Sequence, residues 1–274
     1  MKNNILFLCF TFCLINVFSQ TQYDSLKKFR DSYIQTGREM KSQTKEGDCE
    51  KVKTNLEENK QAYLAAKNDN DKSMALAQLS KISCPQIISF FEEVIKNDTS
   101  ELIRCEAIQY LGWTDAQTSI HFLTERTKRT DVSNYEKVCI GTVLAVLENY
   151  KEAENILNQF CSTIEQKYCD KCIWAYYMIG NSSSINYYRF LINNSTDNFT
   201  INIAVQKLAE FGDIETAYPI MEKIMNDEDA IKVGIMRILK ALGDEKSLKL
   251  IENTLNDKNE SNRNYAKKLL ESKN

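Results

Sequence analysis

The sequence predicts an all-α protein, an α-solenoid of about seven stacked helical hairpins. Three observations carry that reading. Pairs of small or apolar residues four apart recur at a near-constant interval, namely Ala75/Leu79, Ala107/Leu111, Val143/Leu147, Ala175/Ile179, Ala204/Leu208, Ile235/Leu239 and Ala266/Leu270, with first members 29–36 residues apart. Two of these helices end alike, at Leu208 to Asp213 (LAEFGD) and at Leu239 to Asp244 (LKALGD). In each, the Gly suits a left-handed helix C-cap and the following Asp suits the next N-cap. Finally, 8 Gly and 2 Pro serve 274 residues, too little turn material for a sandwich or barrel that reverses every ~8–12 residues.

Composition narrows the function classes. With 43% hydrophobic and 27% charged residues, the chain is neither a disordered polymer nor a polytopic membrane protein. A formal charge of −3 lacks the basic excess of a nucleic-acid binder, so no nucleic-acid partner is expected. One His limits any chemistry that needs imidazole.

The chain opens on an address. Ile5 to Phe18 is apolar except for Thr11 and Asn16, and follows Lys2. Fourteen helical residues rise about 21 Å, short of a hydrocarbon core of about 30 Å. Val17 and Ser19 stand where a signal peptidase reads, which predicts a signal peptide over 1–19 and a mature chain from Gln20. Cys9 follows Leu8 and Cys13 follows Phe12, neither of which suits a lipoprotein site. The expected mature protein is secreted or periplasmic, with no permanent transmembrane span.

Residues 20–66 read as N-terminal capping helices. Tyr23, Leu26, Phe29 and Tyr33 form one stripe, and Cys49, Val52, Leu56 and Tyr63 another, each on an otherwise polar helix. The repeats are expected over 67–274. Each unit's other helix has its own stripe, as in Ala217, Ile220, Ile224 and in Leu248, Ile251, Leu255. One stripe per helix cannot bury enough surface in an isolated pair, whereas pairs laid side by side can. No Pro-, Gly- or Ser-rich linker divides the mature chain, which is read as one domain.

The segment Ile103 to Gly112 (IRCEAIQYLG) resembles the second helix of a HEAT repeat, whose pattern runs V-R-x-x-A-A-x-A-L-G, and Asp98 resembles the Asp between its helices. Residues 200–213 and 227–244 are similar but lack the Arg. The likeness extends over about 70–274. It is architectural and brings no catalytic residue, and an enzyme such as the HEAT-like lyases would need one that the sequence does not offer. Residues 149–160 are similar to part of a tetratricopeptide repeat, where the spacing stretches to 36.

Seven cysteines follow the leader, in a compartment that favours disulfides. Cys169-Asp170-Lys171-Cys172 is the most chemical motif. As a redox pair it lacks a βαβ context, and as a zinc site it lacks a second pair. The structural reading is a bridge within the motif or from Cys161 to Cys169 or Cys172. Cys105 and Cys139 lie near repeat anchors, which leaves pairing between neighbouring repeats or two buried thiols. His121 has no nucleophile motif near it and reads as a partly buried helix residue. No metal site and no cofactor are called for.

Two surface features suit a partner. Trp174, Tyr176, Tyr177, Tyr187, Tyr188 and Phe190 form the densest aromatic cluster. Adjacent helical positions diverge by about 100°, so one of each Tyr pair is expected to meet solvent, which nominates Trp174, Tyr177 and Tyr187. Lys232, Arg237, Lys240, Arg263 and Lys267 form a basic stripe on successive second helices, the ones that line the concave side of HEAT-like stacks, and Lys232, Arg237 and Lys240 are its nominated contacts. The functional expectation is a non-enzymatic scaffold binding a protein or peptide partner. The alternative is a thiol-redox or metal-binding protein centred on Cys169 and Cys172.

Overall fold

The computed structural model describes residues 53–114, 117–161 and 169–272, with scattered positions before residue 51. The expected leader and the stripe Tyr23 to Tyr33 lie outside the described residues. Among the described residues from 53 on, fourteen α-helices follow one another: α1 (Lys53–Ala65), α2 (Asp69–Leu79), α3 (Pro85–Asn97), α4 (Glu101–Trp113), α5 (Ile120–Thr127), α6 (Asn134–Val146), α7 (Tyr150–Phe160), α8 (Cys169–Ile179), α9 (Ser182–Asn194), α10 (Asn198–Glu210), α11 (Ile214–Asn226), α12 (Val233–Leu242), α13 (Glu245–Asn253) and α14 (Glu260–Glu271). Taken in order they alternate as first and second helices, and the α-solenoid class holds. Among the described residues, extended pairing is confined to a two-residue parallel contact of Lys45–Glu46 with Ile82–Ser83.

The residues gather into two compact units, one over Ile34–Ser184 and one taking in Ile185–Asn274. The division falls inside α9. In the first unit the second helices α2, α4, α6 and α8 lie in a row, each packed on the next, with its own first helix alongside. In the second unit α10, α12 and α14 repeat the arrangement. The predicted anchors explain both rows. Ala107, Leu111, Ala175, Ala204, Leu208, Ile235, Leu239 and Ala266 are fully enclosed, and Ala75, Leu79, Val143, Leu147 and Ile179 are buried. A small residue at the first anchor lets neighbouring helices approach. Gly112 shows how closely, since a Cβ there would stand 3.1 Å from Val143 Cγ1.

Local chemistry fixes the helix ends. Asn68, Ser100, Ser133, Asp197, Asp244 and Asn259 each accept a backbone N–H of the first turn of the following helix. Gly212 and Gly243 adopt the left-handed conformation foreseen for them, with φ of 86° and 67°. Glu148, one repeat earlier than Gly180, takes the same turn at φ 64° despite its side chain. The longer step from Ala107 to Val143 comes from a 3₁₀ turn at Gln117–Ser119 and the loop between α5 and α6, while α7 is an ordinary first helix. At the end of α13 the helix tightens into a 3₁₀ turn over Thr254–Asn256, which rotates Leu255 off its expected stripe and leaves it 41% exposed.

Candidate functional site

The candidate surface is the face that the second helices present. In the first unit, Trp174 on α8 is half-buried, its ring 6.1 Å from that of Tyr177. Tyr177 itself is fully buried, and Tyr176 sends its hydroxyl to Asn158 Oδ1 at 2.6 Å. Burial pushes the Tyr176 phenol well above its usual range. In the second unit, Tyr187 is buried with Tyr188, which stacks on Phe211 at 5.8 Å. The expectation that one tyrosine of each pair meets solvent therefore fails. For Tyr176 and Tyr177 the reason is that α8, a second helix, is covered by both α7 and α6. Two directions 100° apart can then both point into protein. Tyr177 and Tyr187 are core residues, and of the three nominated aromatics Trp174 alone reaches the surface.

The basic stripe divides in the same way. Lys232 is 5% exposed, with its Nζ 2.5 Å from Asp257 Oδ2 and its backbone N–H donated to Asn262 Oδ1 at 3.1 Å. It belongs to the interior. Arg237 lies on α12 with its side chain 41% exposed and Nη2 3.4 Å from Glu210 Oε1. Glu210 has no exposure and also receives Lys207 Nζ at 2.9 Å. Burial pulls the Lys207 ammonium pKa down, and the Glu210 carboxylate beside it opposes that pull. Lys240, half-buried, follows Arg237 by three residues and so shares its face. One carboxylate thus meets two cations between α10 and α12, with Lys240 a turn further along α12. Lys207 and Glu210 were missed in the sequence because an i, i+3 ion pair there reads as solvated.

Buried charge elsewhere joins helices. Glu136, fully enclosed on α6, accepts Arg104 Nε at 2.9 Å and is bonded by Arg126 Nε from α5. Asp98 accepts Lys72 Nζ at 2.7 Å, the Tyr63 hydroxyl and the Ser100 N–H. Burial alone would raise the Asp98 pKa, yet these donors hold it below its ordinary value of 3.8. Exposed apolar residues were also missed, among them Leu102, Trp113, Phe199 and Ile231. Leu102 and Phe199 each stand two residues after an N-cap, off the buried stripe, and that offset is a readable signal.

The thiols are sorted clearly. Cys161, the C-cap of α7, is bonded to Cys172 in α8, with Cα atoms 6.0 Å apart. Cys172 is thereby engaged outside the Cys169–Cys172 motif, and the Cys169 side chain lies outside the described residues. Cys84 is also disulfide-bonded, whereas Cys105 and Cys139 are buried thiols. His121 is exposed on α5, contrary to the partly buried position expected. Among the described residues, no group of three or more His, Cys, Asp or Glu is placed to hold a metal ion, and no helix is long and apolar enough to cross a membrane.

No curated protein matches the sequence. Among solved structures, YibA of Escherichia coli is similar at TM-score 0.51 and 14% identity, covering 91% of this chain and 96% of its own, and that likeness shows the fold. The complex of CpcE and CpcF of phycocyanin lyase from Nostoc sp. PCC7120 is similar at TM-score 0.46 and 16% identity, over 76% and 84% of the two chains. Human deoxyhypusine hydroxylase in complex with glycerol gives TM-score 0.37 and 13% identity, over 82% and 98%. The family model described as HEAT repeats matches residues 56–139, from within α1 to within α6. The match begins within α1, and the boundary expected at 66/67 lies between α1 and α2. Residues 56–139 are thus similar to HEAT repeats, and the helices continue one after another to the end of α14.

Proposed function

We propose that the chain is an exported, non-enzymatic scaffold that binds an acidic protein or peptide along the face of its second helices, the concave side expected of such a stack. The carrying observation is the α10–α12 face. There Lys207 and Arg237 meet a fully enclosed Glu210, and the Arg237 side chain, 41% exposed, and the half-buried Lys240 three residues on bring positive charge to the surface. An exposed basic patch on a chain of net charge −3 draws acidic segments and orients them on approach. The HEAT-repeat class supports this use generally, since an extended row of helices offers a long surface.

The test is site-specific crosslinking on the mature chain in its native medium. A photoreactive group at position 240 should capture an acid-rich partner, and one at Lys223, exposed on α11, should not. Capture should fall about tenfold in Lys240→Glu and fade at about 0.5 M salt, where screening shortens to a few ångströms. Equal capture from both positions, or capture indifferent to salt, contradicts the reading.

A further inference from the structure

Cys105 on α4 and Cys139 on α6 have no part in the binding face, and their placement is unusual. Both are free thiols, with exposures of 1% and 0%. They lie 34 residues apart in the chain, yet they sit on helices that pack on each other, and the Cys139 thiol is near enough to oppose ionisation of Cys105. The crossing of α4 and α6 is pinned on either side of them. Toward the N-terminal ends, Arg104 Nε meets Glu136 Oε2 at 2.9 Å. Toward the C-terminal ends, Gly112 lies against Val143 so closely that a Cβ would be 3.1 Å from its Cγ1. Two buried thiols therefore share one helix crossing between consecutive repeats, on helices that cannot slide apart without breaking the flanking contacts.

We propose that Cys105 and Cys139 are a disulfide site, a redox-dependent latch that bonds one repeat to the next. The co-reactant is a disulfide oxidant, either a small-molecule disulfide or that of an exchange protein. One cysteine, as thiolate, attacks an oxidant sulfur, forming a mixed disulfide and releasing the first oxidant thiol. The second cysteine, as thiolate, attacks the protein sulfur of that mixed disulfide, forming Sγ–Sγ and releasing the second oxidant thiol. Two protons leave the pair, and two electrons pass to the oxidant. Burial and the neighbouring thiol oppose thiolate formation at Cys105, while the Lys171 ammonium on α8 favours it. Enclosure also keeps the oxidant out, so the latch closes only when α4 and α6 part locally. Oxidation is expected to be slow in buffer and faster in urea too dilute to unfold the chain.

The experiment uses the mature chain, isolated without reductant and exposed to oxidised glutathione with and without such urea. Remaining thiols are alkylated after unfolding, and the tryptic peptides are mapped. The expected result is a linked pair of peptides containing Cys105 and Cys139, with both thiols lost and Tm raised by about 5–10 °C. Cys139→Ser should fold with its Tm unresponsive to the oxidant; if it does not fold, the wild-type map still decides. Recovery of both residues as alkylated thiols overturns the site. Glutathione left on one of them, without a bridge, overturns it equally. A bridge that lowers Tm overturns the latch, because the bond would then form only by distorting the crossing.

Discussion

Around Asp98, in the first unit, the Lys72 ammonium arrives from α2 at 2.7 Å and the Ser100 N–H at 2.7 Å, while Arg104 Nη1 binds the carbonyls of Asp98 and Thr99 at 2.9 and 3.1 Å. Around Asp257, in the second unit, Lys232 and the Asn259 N–H take the same places, and Arg263 Nη1 binds the carbonyls of Asp257 and Lys258 at 2.7 and 2.8 Å. Each Asp receives cation and backbone donors where a first helix ends, and each Arg bonds carbonyls that would otherwise lack a donor. The two joints differ in what lies beyond. Arg104 has a following repeat and extends its Nε to Glu136, whereas Arg263 sits on α14 and holds its own loop. Asn262, 1% exposed, instead ties the end together by donating to the Ala230 carbonyl and to Asp257 Oδ1. Within the described residues, the interior joint at Asp98 passes charge contacts onward to α6, and the joint at Asp257, terminal in that row, closes them on its own loop.

The sharpest way to break this comparison is Glu136→Gln. It leaves two guanidinium groups around a neutral amide in an enclosed site, and should cost about 3–5 kcal/mol, read from the urea midpoint. A loss under 1 kcal/mol would make the interior joint no stronger than the terminal one. Next come the two aspartates. Both carboxyl groups titrate below their ordinary value of 3.8, because bonds from Lys72 or Lys232 and from backbone and side-chain donors outweigh the effect of burial. A depressed folded pKa adds stability above the unfolded pKa, so Tm should drop as pH falls below about 4. Asp98→Asn and Asp257→Asn should each cost about 2 kcal/mol at pH 7 and each flatten that acid slope. A slope unchanged in both variants assigns the acid sensitivity elsewhere. The smallest effect separates the arginines. Arg104→Lys loses the forked contact that spans two carbonyls and Glu136, and should cost about 2 kcal/mol, against about 1 kcal/mol for Arg263→Lys. Equal values would erase the distinction between interior and terminal.

Much of the architecture was legible in the sequence because it depends on local rules. The anchor pairs fix which side of each helix is covered, and Gly212 and Gly243 mark turns that only a left-handed residue can make. Arg104 could be recognised by its pattern. Its acceptor Glu136 could not, since it lies 32 residues on and has the same spacing as any solvated glutamate. Lys232 misled for a related reason. Its charge matched Arg237 and Lys240, but the loop before α12 turns it inward, where Asn262 and Asp257 claim its polar groups. The Tyr176/Tyr177 and Tyr187/Tyr188 pairs show the limit of reasoning from one helix at a time. Coverage by neighbours on several sides exists only after assembly.

The row of second helices has a consequence for how the chain folds. In each unit a helix packs on its hairpin partner or on the second helix of an adjoining hairpin, about one repeat away in the chain. The segments that must find each other therefore stay short however many hairpins are added. Folding speed tracks such short separations, so growth can begin at whichever hairpin forms first and spread outward, with each new pair templated by the one beside it.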